Sequence, residues 1–255
     1  MRRTEIQGEG WFVRWTDLPG RLPARVFVHG LGGTGWATFG HIAGHPDLGG
    51  HRSIVLDLPG HGLSDRPSSW GYTLTEHAAA VAAVCADAGI RGIDLVGHSL
   101  GGDIAITVAG LDPGLVGRLV VAEANLDPLP PSPTGVRGSQ RIAAQTERSF
   151  LERGYADLFE AYPSWAPILR HCDARAVYRS AVGLVTGTRP TMREVFTALG
   201  LPRTFIRADA GEPLVDAESL EAAGIRVVTI ADAGHVMMDD QPEAFTAALT
   251  AALAG

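Results

Sequence analysis

The stretch Gly92-Ile-Asp-Leu-Val-Gly-His-Ser-Leu-Gly-Gly102 decides the fold. A short apolar run ends in Gly97, Ser99 and Gly101 at G-x-S-x-G spacing, and "LGGDIAITVAG" then opens a helical pattern. A serine on a tight strand-to-helix turn stands exposed at the C-terminal edge of a sheet, and glycines on either side relieve the crowding around it. A nucleophilic serine needs a base, and the base needs an acid to orient it. His235, in "VVTIADAGHVMMDDQPEAF", is the one histidine both late in the chain and just past a predicted strand end. His98, beside the serine, is expected to point away from it on the turn.

The run His29-Gly-Leu-Gly-Gly-Thr-Gly35 admits two meanings. Gly30, Gly32 and Gly35 fit the G-x-G-x-x-G of a dinucleotide site, with Asp57 placed for a ribose. Read from His29, it is an H-G-x-x-G loop whose backbone N–H groups receive a negatively charged oxygen. A pyrophosphate on those glycines leaves the Ser99 and His235 segments without a purpose, so the second meaning is preferred. Asp57 then becomes a structural residue at a strand end.

Six β-branched runs, "ARVFVHG", "RSIVLDLPG", "GIDLVGHS", "GRLVVAEA", "PRTFIRADA" and "GIRVVTIADAGH", alternate with helical patterns. Thr73 and Glu76 form a predicted capping box for the helix that ends at Gly89. Runs apolar on both faces imply an α/β fold, with a mostly parallel sheet covered by helices on each side. "GWFVRWTDL" is expected to add an antiparallel edge. Residues 127–200 break the alternation with "LDPLPPSPTG" and helices only, and are expected to form a helical cap inserted into a core of residues 1–126 and 201–255.

The segments "HGLGG", "DLPGHGLSD", "GHSLGG" and "AGHVMMDDQPEAF" together resemble the α/β-hydrolase superfamily, in family order and over nearly the whole chain outside the cap. The resemblance implies a serine hydrolase with an oxyanion hole from the backbone N–H groups of Leu31 and Leu100. Many members carry the acid after the strand before the last, where this chain has Asp209 and Glu212. The stretch "LVVAEANLDP" is similar to haloalkane dehalogenases, in which a Glu at the place of Glu123 supports the histidine. That favours Glu123, with Asp209 and Glu212 as alternatives. Dehalogenase and epoxide hydrolase activities are rejected, because those enzymes use a carboxylate nucleophile where this chain has Ser99.

The expected activity is cofactor-independent cleavage of an ester, lactone or thioester of a small, fairly apolar molecule. Amide or C–C bond hydrolysis would use the same parts. A ligand-binding protein that keeps the fold without turnover is the alternative class. Trp165, Tyr155, Phe159 and Tyr162 are candidates to line the pocket beneath the cap, against the alternative that they pack cap helices on one another.

The 255 residues carry a formal charge of −7, with 21 arginines and no lysine, and no basic run suggests nucleic acid or anionic lipid. Without lysine there is no Schiff base and no Walker-A amine. No apolar stretch predicts a signal peptide or membrane span, so a cytoplasmic location is expected. Cys85 and Cys172 form neither a C-x-x-C nor a zinc pattern, and no metal is expected. The expected partner is a small-molecule substrate; oligomeric state is not readable.

Overall fold

The computed structural model describes residues 1–6, 8, 10–135, 137–211 and 214–254. The strands are β1 (Arg2–Glu5), β2 (Phe12–Leu18), β3 (Arg21–Val28), β4 (His51–Leu56), β5 (Ile93–His98), β6 (Val116–Ala122), β7 (Arg203–Ala208) and β8 (Arg226–Ile230). They form one sheet in the order β1-β2-β4-β3-β5-β6-β7-β8. Every pairing from β4 to β8 is parallel, while β1 and β2 are antiparallel. All six predicted β-branched runs are strands. The antiparallel segment at residues 10–18 is not the edge, however, because β1 pairs outside it.

The crossovers are α1 (Gly35–Ala43), α2 (Leu74–Asp87) and α3 (Leu100–Leu111). The capping box of α2 is closed both ways between Thr73 and Glu76. Side chains alternate across the strands. Val26, Val28, Leu95 and Val121 pack under α2 and α3, with Val84 and Ile104 among the fully buried residues. Phe27, Val96 and Val120 face the other way, onto Phe39 of α1 and onto Phe245 and Leu249 of α12 (Pro242–Leu253). This period-2 alternation makes both faces apolar, which is why the strands read as continuous hydrophobic runs. Each such buried side chain contributes about 1.5–3 kcal/mol.

Between β6 and β7 a loop over residues 123–135 leads into helices joined by short turns: α4 (Gly138–Ala143), α5 (Glu147–Ser149), a π turn over Phe150–Gly154, α6 (Tyr155–Ala161), α7 (Ala166–Leu169), α8 (Ala174–Thr186) and α9 (Met192–Ala198). Helix α8 is buried on two sides. Ala176 and Leu184 join the main core, while Val177 and Ala181 join a separate cluster with Ile142, Phe150 and Leu169. Met192 and Phe196 of α9 pack into the main core beside Phe205, so this last helix supports the sheet. Two short helices, α10 (Ala217–Ala222) and α11 (Met237–Asp240), complete the chain. Among the described residues no helix is long and apolar enough to cross a membrane.

Candidate active site

Ser99 sits between β5 and α3 at φ 52°, ψ −122°, a conformation that costs a non-glycine residue strain. Its N–H donates to the Ala122 carbonyl (2.8 Å), and its carbonyl accepts from Gly102 N (2.7 Å). The flanking glycines have a steric reason. A Cβ on Gly97 would overlap the Gly101 carbonyl, and one on Gly101 would overlap the Val28 and His29 carbonyls.

The turn presents Ser99 Oγ at 3.0 Å from His235 Nε2, and His235 Nδ1 lies 3.4 Å from Glu123 Oε2. Glu123 follows β6 with φ 51°, and its other oxygen accepts from Ala208 N (2.9 Å) on β7, which fixes the carboxylate between the two strands. A hydroxyl paired with an imidazole whose far nitrogen faces a carboxylate can lose its proton as it attacks, and the carboxylate stabilises the imidazolium that forms. The longer His–Glu separation lies within what such sites show before substrate tightens them.

Asp209 does not reach His235. Its Oδ1 accepts from Ala233 N (3.3 Å), and backbone N–H groups, that of Asp232 foremost, hold its carboxyl below the usual range. Glu212 lies outside the described residues. The sequence did not reveal how firmly the histidine loop is held. Asp209 takes Ala233 N, Asp240 takes Gly234 N (2.8 Å), and His98 Nε2 donates to the His235 carbonyl (2.8 Å). His98 is buried, and that burial pushes its pKa down to about 3, so it stays neutral. Its only signal in the sequence was its place next to the serine.

The loop after β3 faces Ser99. A Cβ on Gly30 would stand 3.2 Å from Ser99 Cβ. His29 is fully buried and desolvated, with its pKa pushed down to about 4. Its Nε2 accepts from Leu58 N (2.9 Å), so Nδ1 carries the proton and donates to the Gly30 carbonyl (2.8 Å). Gly33 N donates to the same carbonyl (3.1 Å). Because C=O and N–H are trans across a planar peptide, fixing the Gly30 carbonyl also fixes the direction of the Leu31 N–H. The Leu100 N–H heads α3, where the first amides have no intrahelical partner. Both oxygens of Asp57 are used by the backbone, from Gly35 N and Leu63 N (both 2.8 Å), so this acid ties the loops after β3 and β4 together.

These groups open onto a cavity of about 880 Å³ lined by Leu31, Ser99, Glu123, Asn125, His235 and, from the helical segment, Tyr162 and Trp165. Two of the four candidate aromatics do not line it. Tyr155 and Phe159 stack edge to face (5.3 Å), and the Tyr155 hydroxyl donates to the Leu169 and Cys172 carbonyls, so they pack the helical segment on itself. Cys85 and Cys172 are buried thiols, and burial pushes both up to about 12. Among the described residues no group of three or more His, Cys, Asp or Glu is arranged to hold a metal ion.

Residues 26–248 match the model of the alpha/beta hydrolase family. The chain belongs to that family. An esterase of Mycobacterium tuberculosis is 26% identical over 91% of this chain and 82% of its own length. A 2-hydroxy-6-oxononadienedioate/2-hydroxy-6-oxononatrienedioate hydrolase of Burkholderia vietnamiensis is 36% identical over 43% of this chain, which spans 38% of that protein. The dihydrolipoyllysine-residue acetyltransferase component of the acetoin cleaving system of Pseudomonas putida is 38% identical over 49% of the chain, which spans 33% of that relative. Among solved structures, the bromoperoxidase of Bacillus anthracis shares the hydrolase fold across all of this chain and 99% of its own, with a TM-score of 0.79 at 17% identity.

Proposed function

We propose that this alpha/beta hydrolase is a cofactor-independent serine hydrolase that cleaves an ester, lactone or thioester of a small, fairly apolar molecule. The observation that carries the proposal is the line from Ser99 Oγ through His235 to Glu123, with 3.0 Å and 3.4 Å contacts, on the floor of the cavity. Ser99 Oγ attacks the carbonyl carbon as His235 Nε2 takes its proton, and the carbonyl π pair moves to oxygen. The Leu31 and Leu100 N–H groups receive that oxyanion, aided by the N-terminal end of the α3 dipole. Collapse breaks the bond to the leaving group, which takes the proton from His235, and water repeats the sequence to free the acid. The helical segment acts as a cap, and Trp165 and Tyr162 help select the substrate. Leu31, Ile168 and Leu184 supply the apolar wall.

The test is incubation with a fluorophosphonate, peptide mapping of the adduct, and then turnover on a panel of esters, lactones, thioesters, amides and a C–C-cleavable diketone. Label on Ser99 with an acyl-enzyme burst on oxygen or sulfur esters supports the proposal. Labelled protein that turns over only the amide or the diketone moves the activity to that bond. Tight binding with no label and no burst would make it a non-catalytic ligand-binding protein.

A further inference from the structure

The loop that carries the Leu31 amide is held from two sides. The core pins its first half, since the Gly30 carbonyl accepts from His29 Nδ1 and from Gly33 N. The second half is held by the helical segment. Trp165 Nε1 donates to the Gly32 carbonyl (3.0 Å), and Cys172 Sγ donates to the Gly33 carbonyl (3.6 Å). Gly32 stands at φ 62°, and a Cβ there would overlap the Trp165 indole and lie 2.9 Å from Leu169 Cδ1. The indole therefore rests directly on the loop backbone, braced edge to face by Tyr162 at 5.9 Å. Trp165 also lines the cavity, so the side chain that grips the loop is one that a substrate meets.

We infer that Trp165 is a positioning residue that sets the oxyanion loop from the helical segment and so couples substrate seating to stabilisation of the transition state. This rests on the serine hydrolase mechanism proposed above. The Gly32 carbonyl shares its peptide with the Gly33 N–H that donates to the Gly30 carbonyl, so a Gly32 peptide released from Trp165 loosens that bond, and the Leu31 N–H, two peptides upstream on the Gly30 carbonyl's own peptide, loses part of its aim. A donor aimed only in the transition state acts on kcat, whereas a pocket wall acts on KM.

The experiment compares wild type with Trp165→Phe, which keeps an aromatic ring and removes the N–H, and with Cys172→Ala, which releases the neighbouring carbonyl. Each protein is first treated with a fluorophosphonate. Each is then assayed for kcat and KM on one ester, and for inhibition by a trifluoromethyl ketone, whose hemiketal oxyanion uses the hole, and by the corresponding secondary alcohol, which does not. The expected result for Trp165→Phe is a kcat lower by about 3- to 10-fold, the worth of one hydrogen bond, with ketone affinity falling by the same factor and alcohol affinity unchanged. Cys172→Ala moves the same two quantities by a smaller factor and tests the coupling should the tryptophan variant fail to fold. Unchanged kcat and ketone affinity overturn the inference, as does an equal loss for ketone and alcohol, which makes Trp165 a wall only. A wild type that takes no label at Ser99 refutes the hydrolase mechanism and this inference with it; a labelled wild type with indifferent variants refutes this inference alone.

Discussion

Mild acid, between pH 7 and pH 5, is expected to destabilise this protein, above the range in which an exposed carboxylate titrates. His29, His61, His77 and His98 are buried. Desolvation is the largest cause holding each pKa down, to about 4 in His29, to about 3 in His61 and His98, and well below the usual value in His77. An unfolded chain titrates histidine near about 6.5. A group whose folded pKa is depressed binds more protons unfolded, so its stabilising contribution is complete above the unfolded pKa and is lost as pH falls towards the folded one. At pH 5 the loss is about 2 kcal/mol per histidine, or about 6 kcal/mol for His29, His61 and His98 together, and His77 adds to it with the same sign. The rings of His29 and His61 are 5.2 Å apart, so the first charge acquired opposes the second.

Asp103 works against this. Burial raises its carboxyl to about 8, so it is largely protonated in the folded protein at neutral pH, and going from pH 7 to pH 5 stabilises the fold by about 3 kcal/mol. The net loss is about 3 kcal/mol before His77, a large part of the roughly 5–15 kcal/mol that holds a domain together. The assay is urea unfolding followed by circular dichroism at pH 7, 6 and 5, extrapolated to zero denaturant. Stability that stays flat or rises from pH 7 to pH 5 refutes the reasoning. The sharper control is His61→Asn, whose amide can donate to the Pro59 carbonyl that His61 Nδ1 meets at 2.9 Å. That variant should lose about 2 kcal/mol of the pH dependence.

Glu123→Gln should lower kcat by about 10²-fold or more while Asp209→Asn costs only a few-fold, because the first removes the charge facing His235 Nδ1 and the second loosens one bond of the loop behind it; steady-state kinetics at neutral pH on one ester decides between them. His98→Leu releases the His235 carbonyl and should lower kcat by about 3- to 10-fold with KM held, while the acid-dependent stability loss in urea titrations shrinks by about 2 kcal/mol. Gly101→Ala drives a methyl into the Val28 and His29 carbonyls, and thermal unfolding should show a destabilisation of about 1–3 kcal/mol or more.

The parts legible in the sequence were those in which one local pattern has one structural solution. A buried parallel strand must be apolar on both faces, so β3 through β7 stood out, and the edge strand β8, with only Ile230 buried, was legible from its β-branched run alone, whereas β1, with the sequence Arg-Arg-Thr-Glu and only Thr4 buried, carries no such pattern and exists through its pairing with β2. The serine turn was legible because each of its glycines answers a specific backbone collision. The aromatics of residues 155–165 were only half legible. Helical spacing puts Tyr155 and Phe159 on one face, but whether that face meets a cavity or other helices depends on how the segment folds back, and here Leu169 and Cys172 supply the carbonyls that draw Tyr155 inward.

The choice between Glu123 and Asp209 shows where local sequence gives out. Both follow the C-terminal ends of neighbouring strands, β6 and β7, at the same edge of the sheet, and either could have turned towards the histidine loop. The positive φ of Glu123 and its bond from Ala208 N send the longer side chain to His235, leaving Asp209 to meet Ala233 N two residues before the imidazole. The two acids therefore act on opposite sides of the same residue, one on its side chain and the other on the backbone that presents it. Neither position carries a mark of this in its neighbours, because the deciding contact comes from a loop more than 20 residues downstream of Asp209 and more than 100 downstream of Glu123.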